Sequence, residues 1–203
     1  CDAVIDGTLK DQFVLGFMQG GAGTSVNMNV NEVIANYASF LLSENGAKID
    51  VDPIRDINRY QSTNDTFTTA LTVMCLRHLN DIEELVIRLQ EELVTLESRY
   101  NHVVASGRTE MQDALPITVG QIFGGYAGAV ERDRWRLNKL KERVRSVALG
   151  GTAIGTCYAA SQDYIYHAEK ELRKITGLPL CRSQNLVDEI SNTDKYGELA
   201  GGY

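Results

Sequence analysis

The sequence predicts an all-α protein built around long helices that pack as a bundle. Apolar residues recur at spacings of three and four from Leu71 to Leu96, and no glycine or proline follows before Gly107. A second stretch with the same period runs from Val119 to Val147. Both stretches far exceed the mean helix length of about 11 to 12 residues. Helices this long bury their apolar stripes only against equally long partners, which indicates a bundle.

Shorter elements are predicted around these two helices. Apolar spacing predicts a helix over 28–42, and the turn residues of 43–59 indicate a connecting loop. A further helix is predicted over 163–176, because Gly177 follows it as a C-terminal capping residue. Thr118 is the expected N-cap of the second long helix.

Composition excludes several functional classes. The 203 residues suffice for one domain, or for one large and one small domain. No apolar run approaches the ~20 residues that span a bilayer, so no membrane segment is expected. The net charge of -7 and the lack of a dense basic patch argue against nucleic acid as a partner. The four cysteines are widely separated, which argues against a metal site and, without a signal peptide, predicts a cytoplasmic protein.

Three runs rich in hydroxyl and carboxamide side chains are the candidate functional segments, at 21–32, 61–65 and 107–113. The first two precede predicted helices, where free backbone N–H groups and the helix dipole favour a bound carboxylate or phosphate. The simpler interpretation of the first run is that Ser25 or Asn27 merely caps a helix. Three such runs in one helical protein indicate one composite site.

The third run contains residues with different expected roles. Arg108 and Asp113 are expected to form a structural ion pair that braces the loop. Thr109 and Glu110 are the better candidates for a site. A solvated turn is the alternative interpretation of this run.

Taken together, these motifs resemble the aspartase/fumarase superfamily. The resemblance rests on Gly-Ala-Gly-Thr-Ser-Val-Asn-Met-Asn at 21–29, Gln-Ser-Thr-Asn-Asp at 61–65, Gly-Arg-Thr-x-x-Gln-Asp-Ala at 107–114 and Gly-Gly-Thr-Ala-Ile-Gly-Thr at 150–156. Their order and spacing match as well. Ala22 and Thr63 stand where fumarases usually have serine, so within the superfamily the chain is most similar to the aspartate ammonia-lyases.

The resemblance implies a fold, an assembly and a reaction. It implies part of the N-terminal domain over 1–59 and part of the central long-helix bundle over 60–203. It also implies a homotetramer in which three subunits build each active site. The reaction implied is the reversible elimination of ammonia from L-aspartate to give fumarate, through an enediolate. A small dicarboxylate is therefore the expected substrate. No cofactor and no metal site are expected, and activation by a divalent ion stays open.

The resemblance also assigns candidate substrate-binding residues. Thr24, Ser62 and Thr63 match positions that hold the substrate carboxylate. Asn64 and Thr109 match positions near the leaving amino group. Glu110 stands where the family commonly has histidine or glutamine. We hypothesise that an ionised Glu110 pairs with the substrate ammonium; the alternative is a buried carboxylate that weakens binding or becomes protonated.

The catalytic base of the family is absent from this chain. That base is a serine on a Gly-Ser-Ser loop, which the family carries together with a substrate-binding lysine in a region beyond Tyr203. The chain also opens on Cys1 rather than on methionine. We therefore expect an internal fragment that has no catalytic residue and does not turn over alone. The alternatives are a fumarase, or a non-catalytic helical assembly protein.

Overall fold

A computed structural model describes residues 1–16 and 18–202, and it is predominantly helical, which confirms the predicted fold class. The elements follow in the order α1 (Asp2–Ile5), a 3₁₀ turn (Lys10–Gln12), α2 (Thr24–Glu44), a π-helical turn (Pro53–Ile57), α3 (Thr63–Arg99), β1 (Val104–Thr109), β2 (Gln112–Thr118), α4 (Val119–Val144), β3 (Ser146–Val147), α5 (Gln162–Thr176), β4 (Cys181–Arg182), α6 (Leu186–Ser191) and α7 (Asp194–Gly201).

The described chain forms two compact units. The first contains residues 1–73 and 145–193, and the second contains residues 74–144 and 194–202. Helix α3 supplies its first turns to the first unit and its remaining length to the second. The domain boundary between residues 59 and 60 stays a prediction.

The first unit joins α2, the start of α3 and the segment 145–193. Its buried apolar residues come from α2 and from that segment: Val33, Ala35, Val147, Ala148, Leu178, Leu180 and Leu186. The short parallel pair β3 and β4 connects two distant parts of the segment, with Ser146 opposite Cys181. Helix α5 is capped at both ends, by the Ser161 hydroxyl and by Gly177 in the left-handed conformation, as the sequence predicts for its C-terminus.

The second unit is built on the two long helices. Its core consists of Leu79 from α3, Leu137, Leu140 and Val144 from α4, and Leu199 from α7. A half-buried ion pair between Lys141 Nζ and Glu83 Oε2, 2.5 Å apart, also joins α3 to α4. Thr118 caps α4 as expected, because its hydroxyl accepts the backbone N–H of Gln121 at 3.0 Å.

The third polar run lies in a β-hairpin, which neither interpretation of this run predicts. Strands β1 and β2 are antiparallel, and Arg108 lies opposite Asp113. Their side chains form the predicted ion pair, with Arg108 Nε 3.1 Å from Asp113 Oδ1. Glu110 and Met111 form the two-residue turn, both in the left-handed conformation that two-residue hairpin turns favour. Neither is the glycine or asparagine that usually signals such a turn, so the sequence does not reveal it.

Several helix boundaries also differ from those predicted. Helix α4 ends at Val144, and Val147 lies in β3 instead. Helix α2 begins at Thr24, inside the first polar run, and continues to Glu44. Its first turn contains polar residues that contribute no apolar periodicity, so the pattern places the start too late. The predicted loop over 43–59 contains the π-helical turn, whose first N–H groups are capped by the carboxylate of Asp52.

The start of α2 depends on a close approach to α3. Gly23 precedes the helix with φ 86°. A Cβ atom at this position would lie 2.4 Å from the ring of Phe67 on α3. Only glycine therefore allows both the left-handed turn and the contact between the two helices.

We predict that Gly23→Ala destabilises the protein more than Gly21→Ala. Both glycines have positive φ, but a Cβ atom at Gly21 would meet no atom within 4 Å. The left-handed conformation should cost about 1–2 kcal/mol at either position, and the clash with Phe67 about 1–3 kcal/mol more at Gly23 alone. Denaturant unfolding of both variants measures the difference. Equal losses of stability would contradict this account of the contact.

Candidate functional site

The candidate site begins at the N-terminus of α3. Ser62 caps the helix, because its hydroxyl accepts the backbone N–H of Asn64 at 3.2 Å. In return, Asp65 Oδ1 accepts the backbone N–H of Ser62 at 2.9 Å. This reciprocal arrangement is a capping box with aspartate at the third helical position. It fixes the conformation of residues 62–65, which form most of the second polar run.

Asp65 also binds the turn that follows β3. Its Oδ2 atom accepts backbone N–H groups from Gly150 at 3.2 Å and from Thr152 at 2.9 Å. The side chain is fully buried. Burial raises the pKa of Asp65, and the N–H groups of Ser62, Thr152 and Gly150 oppose that rise by stabilising the carboxylate.

An open cleft of about 760 Å³ lies in the first unit, between residues 58–63 and residues 152–159. Its lining residues are all uncharged: Asn58, Tyr60, Gln61, Ser62, Thr63, Thr152, Ala153, Ile154, Thr156, Tyr158 and Ala159. Hydroxyl groups are frequent among them. Because the N-terminus of the long helix α3 also carries partial positive charge, the cleft suits an anion that accepts hydrogen bonds.

A carboxamide network from α2 orients the cleft residue Thr63. Asn27 Nδ2 donates to Thr63 Oγ1 at 3.0 Å and lies 3.3 Å from Asn58 Oδ1. The buried Asn31 donates to the same Asn58 oxygen at 3.0 Å, and Thr66 Oγ1 lies 3.2 Å from Asn27 Oδ1. Since Thr63 Oγ1 accepts from Asn27, its own hydroxyl proton can be donated to a ligand.

The structure brings some of the predicted site residues together in the first unit. Ser62 and Thr63 line the cleft. Asn64 adjoins them, but it donates its amide to the Ala153 carbonyl at 2.7 Å and is not among the lining residues. Thr24 begins α2, is exposed and is not among the lining residues either; its backbone N–H binds the Gly21 carbonyl at 3.1 Å. The roles of these residues in binding substrate stay predictions.

Thr109 and Glu110 belong to the second unit. Thr109 ends β1 opposite Gln112, and Glu110 occupies the hairpin turn with φ 51°. Both side chains are exposed. Their predicted roles toward a substrate also stay predictions.

Several residues in or beside the cleft are not among the predicted site residues. Asp65, beside the cleft, belongs to the second polar run, and the spacing of Ser62 and Asp65 is a recognisable capping signature. Tyr60, Thr152 and Ala159 line the cleft with positive φ angles of 64°, 61° and 64°. Strained backbone of this kind tends to concentrate at functional sites. No sequence pattern indicates positive φ at tyrosine, threonine or alanine.

Tyr164 on α5 lies behind the same cleft. Its ring centroid is 5.9 Å from that of Tyr60. Burial raises the pKa of Tyr164 to about 12, the negative charge of Asp65 adds to the rise, and a hydrogen bond with the Gln61 side chain opposes it. The half-buried phenol therefore stays protonated well into the alkaline range.

Two further observations concern metals and membranes. Within residues 1–16 and 18–202, no three or more His, Cys, Asp or Glu side chains are grouped so as to hold a metal ion. None of the helices in this part of the chain is long and apolar enough to cross a membrane.

We predict that Tyr164→Phe reduces the loss of stability at alkaline pH. The folded protein keeps this phenol protonated up to about pH 12, whereas a free tyrosine ionises at 10.0. Stability should therefore fall as pH rises through this interval, because the unfolded chain releases a proton that the folded protein retains. Tyr166→Phe, on the same helix and exposed, is the control. Denaturant unfolding as a function of pH tests this, and equal behaviour of both variants would contradict it.

Comparison with known proteins identifies the family. A family model described as Lyase matches residues 1–202. The aspartate ammonia-lyase of Helicobacter pylori is 39% identical over 202 residues, which are 99% of this chain and 43% of that protein. The class II fumarate hydratase of Bacillus subtilis is 37% identical over 198 residues, which are 96% of this chain and 42% of that protein. The chain thus spans less than half the length of these relatives.

A solved structure is also similar to this chain. The crystal structure of fumarate lyase:delta crystallin from Brucella melitensis bound to cobalt matches with a TM-score of 0.90 and 41% identity, covering 100% of this chain and 44% of that one. The resemblance inferred from the motifs is confirmed. The chain therefore belongs to the lyase family, within the aspartase/fumarase superfamily.

Proposed function

We propose that the protein containing this chain is an aspartate ammonia-lyase, which converts L-aspartate reversibly into fumarate and ammonia. Support comes from the aspartate ammonia-lyase of Helicobacter pylori, which at 39% is slightly more similar to the chain than the fumarate hydratase of Bacillus subtilis at 37%. Ala22 and Thr63, which resemble the ammonia-lyases, favour the same choice.

The observation that carries the proposal is the pair of hydroxyls at the start of α3. Ser62 and Thr63 line an uncharged cleft at a helix N-terminus, and Asn27 holds the Thr63 hydroxyl in place. Removing a proton from the carbon beside a carboxylate places a second negative charge on that group. Fixed hydrogen-bond donors stabilise such charge most effectively, because they need not reorganise during the reaction.

The remaining residues complete the proposed site. Thr24 holds the carboxylate together with Ser62 and Thr63. Asn64 and Thr109 contact the leaving amino group of the substrate. The Glu110 carboxylate forms an ion pair with this group while it is protonated as an ammonium. These residues meet through a homotetramer with shared sites, and we assign the catalytic base to no residue of this chain. The proposed chemistry uses no organic cofactor, and the cytoplasmic location stays a prediction.

The test of this function is an assay of the full gene product. L-aspartate should yield fumarate and ammonia in equal amounts, and fumarate with ammonium should yield L-aspartate. Conversion of L-malate should be far slower. Failure to release ammonia from L-aspartate would contradict the proposal.

Fumarase is the second candidate. The 37% identity to the fumarate hydratase of Bacillus subtilis supports it. Hydration of fumarate without any requirement for ammonium would favour this reaction over the first.

We predict that Thr63→Val lowers kcat/KM for L-aspartate by about 10²- to 10³-fold, the usual effect of removing one donor to a developing anion. Valine keeps the shape of threonine but removes the hydroxyl that Asn27 orients. Thr63→Ser keeps a hydroxyl and should retain most of the activity. Steady-state kinetics of both variants provide the comparison, and a serine variant as impaired as the valine variant would argue against the role of the hydroxyl.

We predict that Glu110→Gln lowers kcat/KM for L-aspartate more than for L-malate, because only the amino acid carries an ammonium group for the carboxylate to pair with. Glu110 is exposed at the hairpin turn, so the isosteric change should leave the fold intact. Asp113→Asn, on the same hairpin, is the control for general effects on this segment. An unchanged value for L-aspartate would rule out the proposed ion pair.

A further inference from the structure

Asp65 contacts both walls of the cleft without lining it. On one wall it accepts the backbone N–H of Ser62 at 2.9 Å. On the other it accepts the N–H groups of Gly150 and Thr152, which lie 85 and 87 residues further along the chain. Both carboxylate oxygens are therefore engaged with segments that face each other across the cleft.

The turn around Thr152 has an unfavourable backbone conformation that the hydrogen bonds to Asp65 stabilise. Thr152 adopts φ 61° and Gly150 adopts φ 89°, and a left-handed conformation is unfavourable for threonine. Thr152 is nevertheless buried. The carboxylate supplies two hydrogen bonds to this strained turn, and a further side-chain bond, from Asn64 to the Ala153 carbonyl, joins the same segments.

The Asp65 carboxylate holds the walls of the cleft in place but does not line the cleft itself. The side chain is fully buried, and its oxygens are occupied by three N–H groups. Ser62 and Thr63 on the first wall accept through their hydroxyl oxygens and keep hydroxyl protons that can be donated to a ligand. Replacing the carboxylate would remove hydrogen bonds to both walls at the same time.

We propose that Asp65 is a positioning residue that sets the separation of the two cleft walls and thereby the affinity for the substrate carboxylate. This inference rests on the proposed function, because it assigns the cleft to a dicarboxylate. Asp65 acts through Ser62 and Thr152 and does not touch the substrate.

The direct test is Asp65→Asn. Asparagine has one acceptor oxygen and an NH₂ group, so its nitrogen must face at least one backbone N–H that now donates to Asp65. Binding of succinate, an unreactive dicarboxylate, should weaken by about tenfold to a hundredfold, measured by calorimetry on the full gene product. Asp163→Asn, exposed on α5 in the same unit, should bind like the wild-type protein.

A double variant separates positioning from simple loss of stability. If Asp65 acts by positioning the wall that contains Ser62 and Thr63, its effect on binding depends on the Thr63 hydroxyl. The double variant Asp65→Asn/Thr63→Val should then weaken succinate binding no more than the worse single substitution. Independent effects would multiply instead. Multiplying effects, or normal succinate binding by a folded Asp65→Asn variant, would overturn the proposal.

A measurement on the wild-type protein covers the case in which the variants do not fold. Saturating succinate should shift the amide NMR signals of Ser62, Gly150 and Thr152 together, because one carboxylate joins all three. A shift confined to Ser62 would contradict the coupling.

If the wild-type protein binds no succinate at all, the proposed function fails, and this role of Asp65 fails with it. Succinate binding by the wild-type protein combined with an unaffected Asp65→Asn variant refutes the role of Asp65 alone.

Discussion

The candidate site depends on one buried carboxylate at the first turn of the longest helix. Asp65 caps its own helix through Ser62 and holds the turn at Gly150 and Thr152. A buried charge is costly unless hydrogen bonds satisfy it, and three backbone N–H groups do so here. The same bonds join segments that are distant in sequence. The stability of this part of the first unit and the geometry of the cleft therefore have a common origin.

The anion preference that we propose for the cleft rests on uncharged hydrogen-bond donors. Ser62 and Thr63 stand at the N-terminus of α3, where the helix dipole and the free N–H groups favour negative charge. The network from Asn27 and Asn31 orients Thr63 without adding a charge. In a lyase that forms an enediolate, fixed dipoles of this kind stabilise charge as it develops. None of the residues that line the cleft carries a charge of its own.

Periodicity and family motifs together predict much of this fold and part of the site. The long helices follow from apolar spacing, and the position of Thr118 as a cap follows from its side chain. The hairpin at 104–118 was not predictable, because its turn uses Glu110 and Met111 in a conformation that neither residue prefers. The contacts of Asp65 with Gly150 and Thr152 were also hidden, because these residues lie more than eighty positions away. Local sequence patterns do not indicate such long-range contacts.

We propose that Ser62 and Thr63 hold a substrate carboxylate in the cleft at the start of α3. A crystal structure of the full gene product grown with succinate tests this role most directly. We expect one carboxylate of succinate within hydrogen-bond distance of both hydroxyls, between the walls that Asp65 joins. Succinate bound elsewhere, with this cleft containing only solvent, would contradict it.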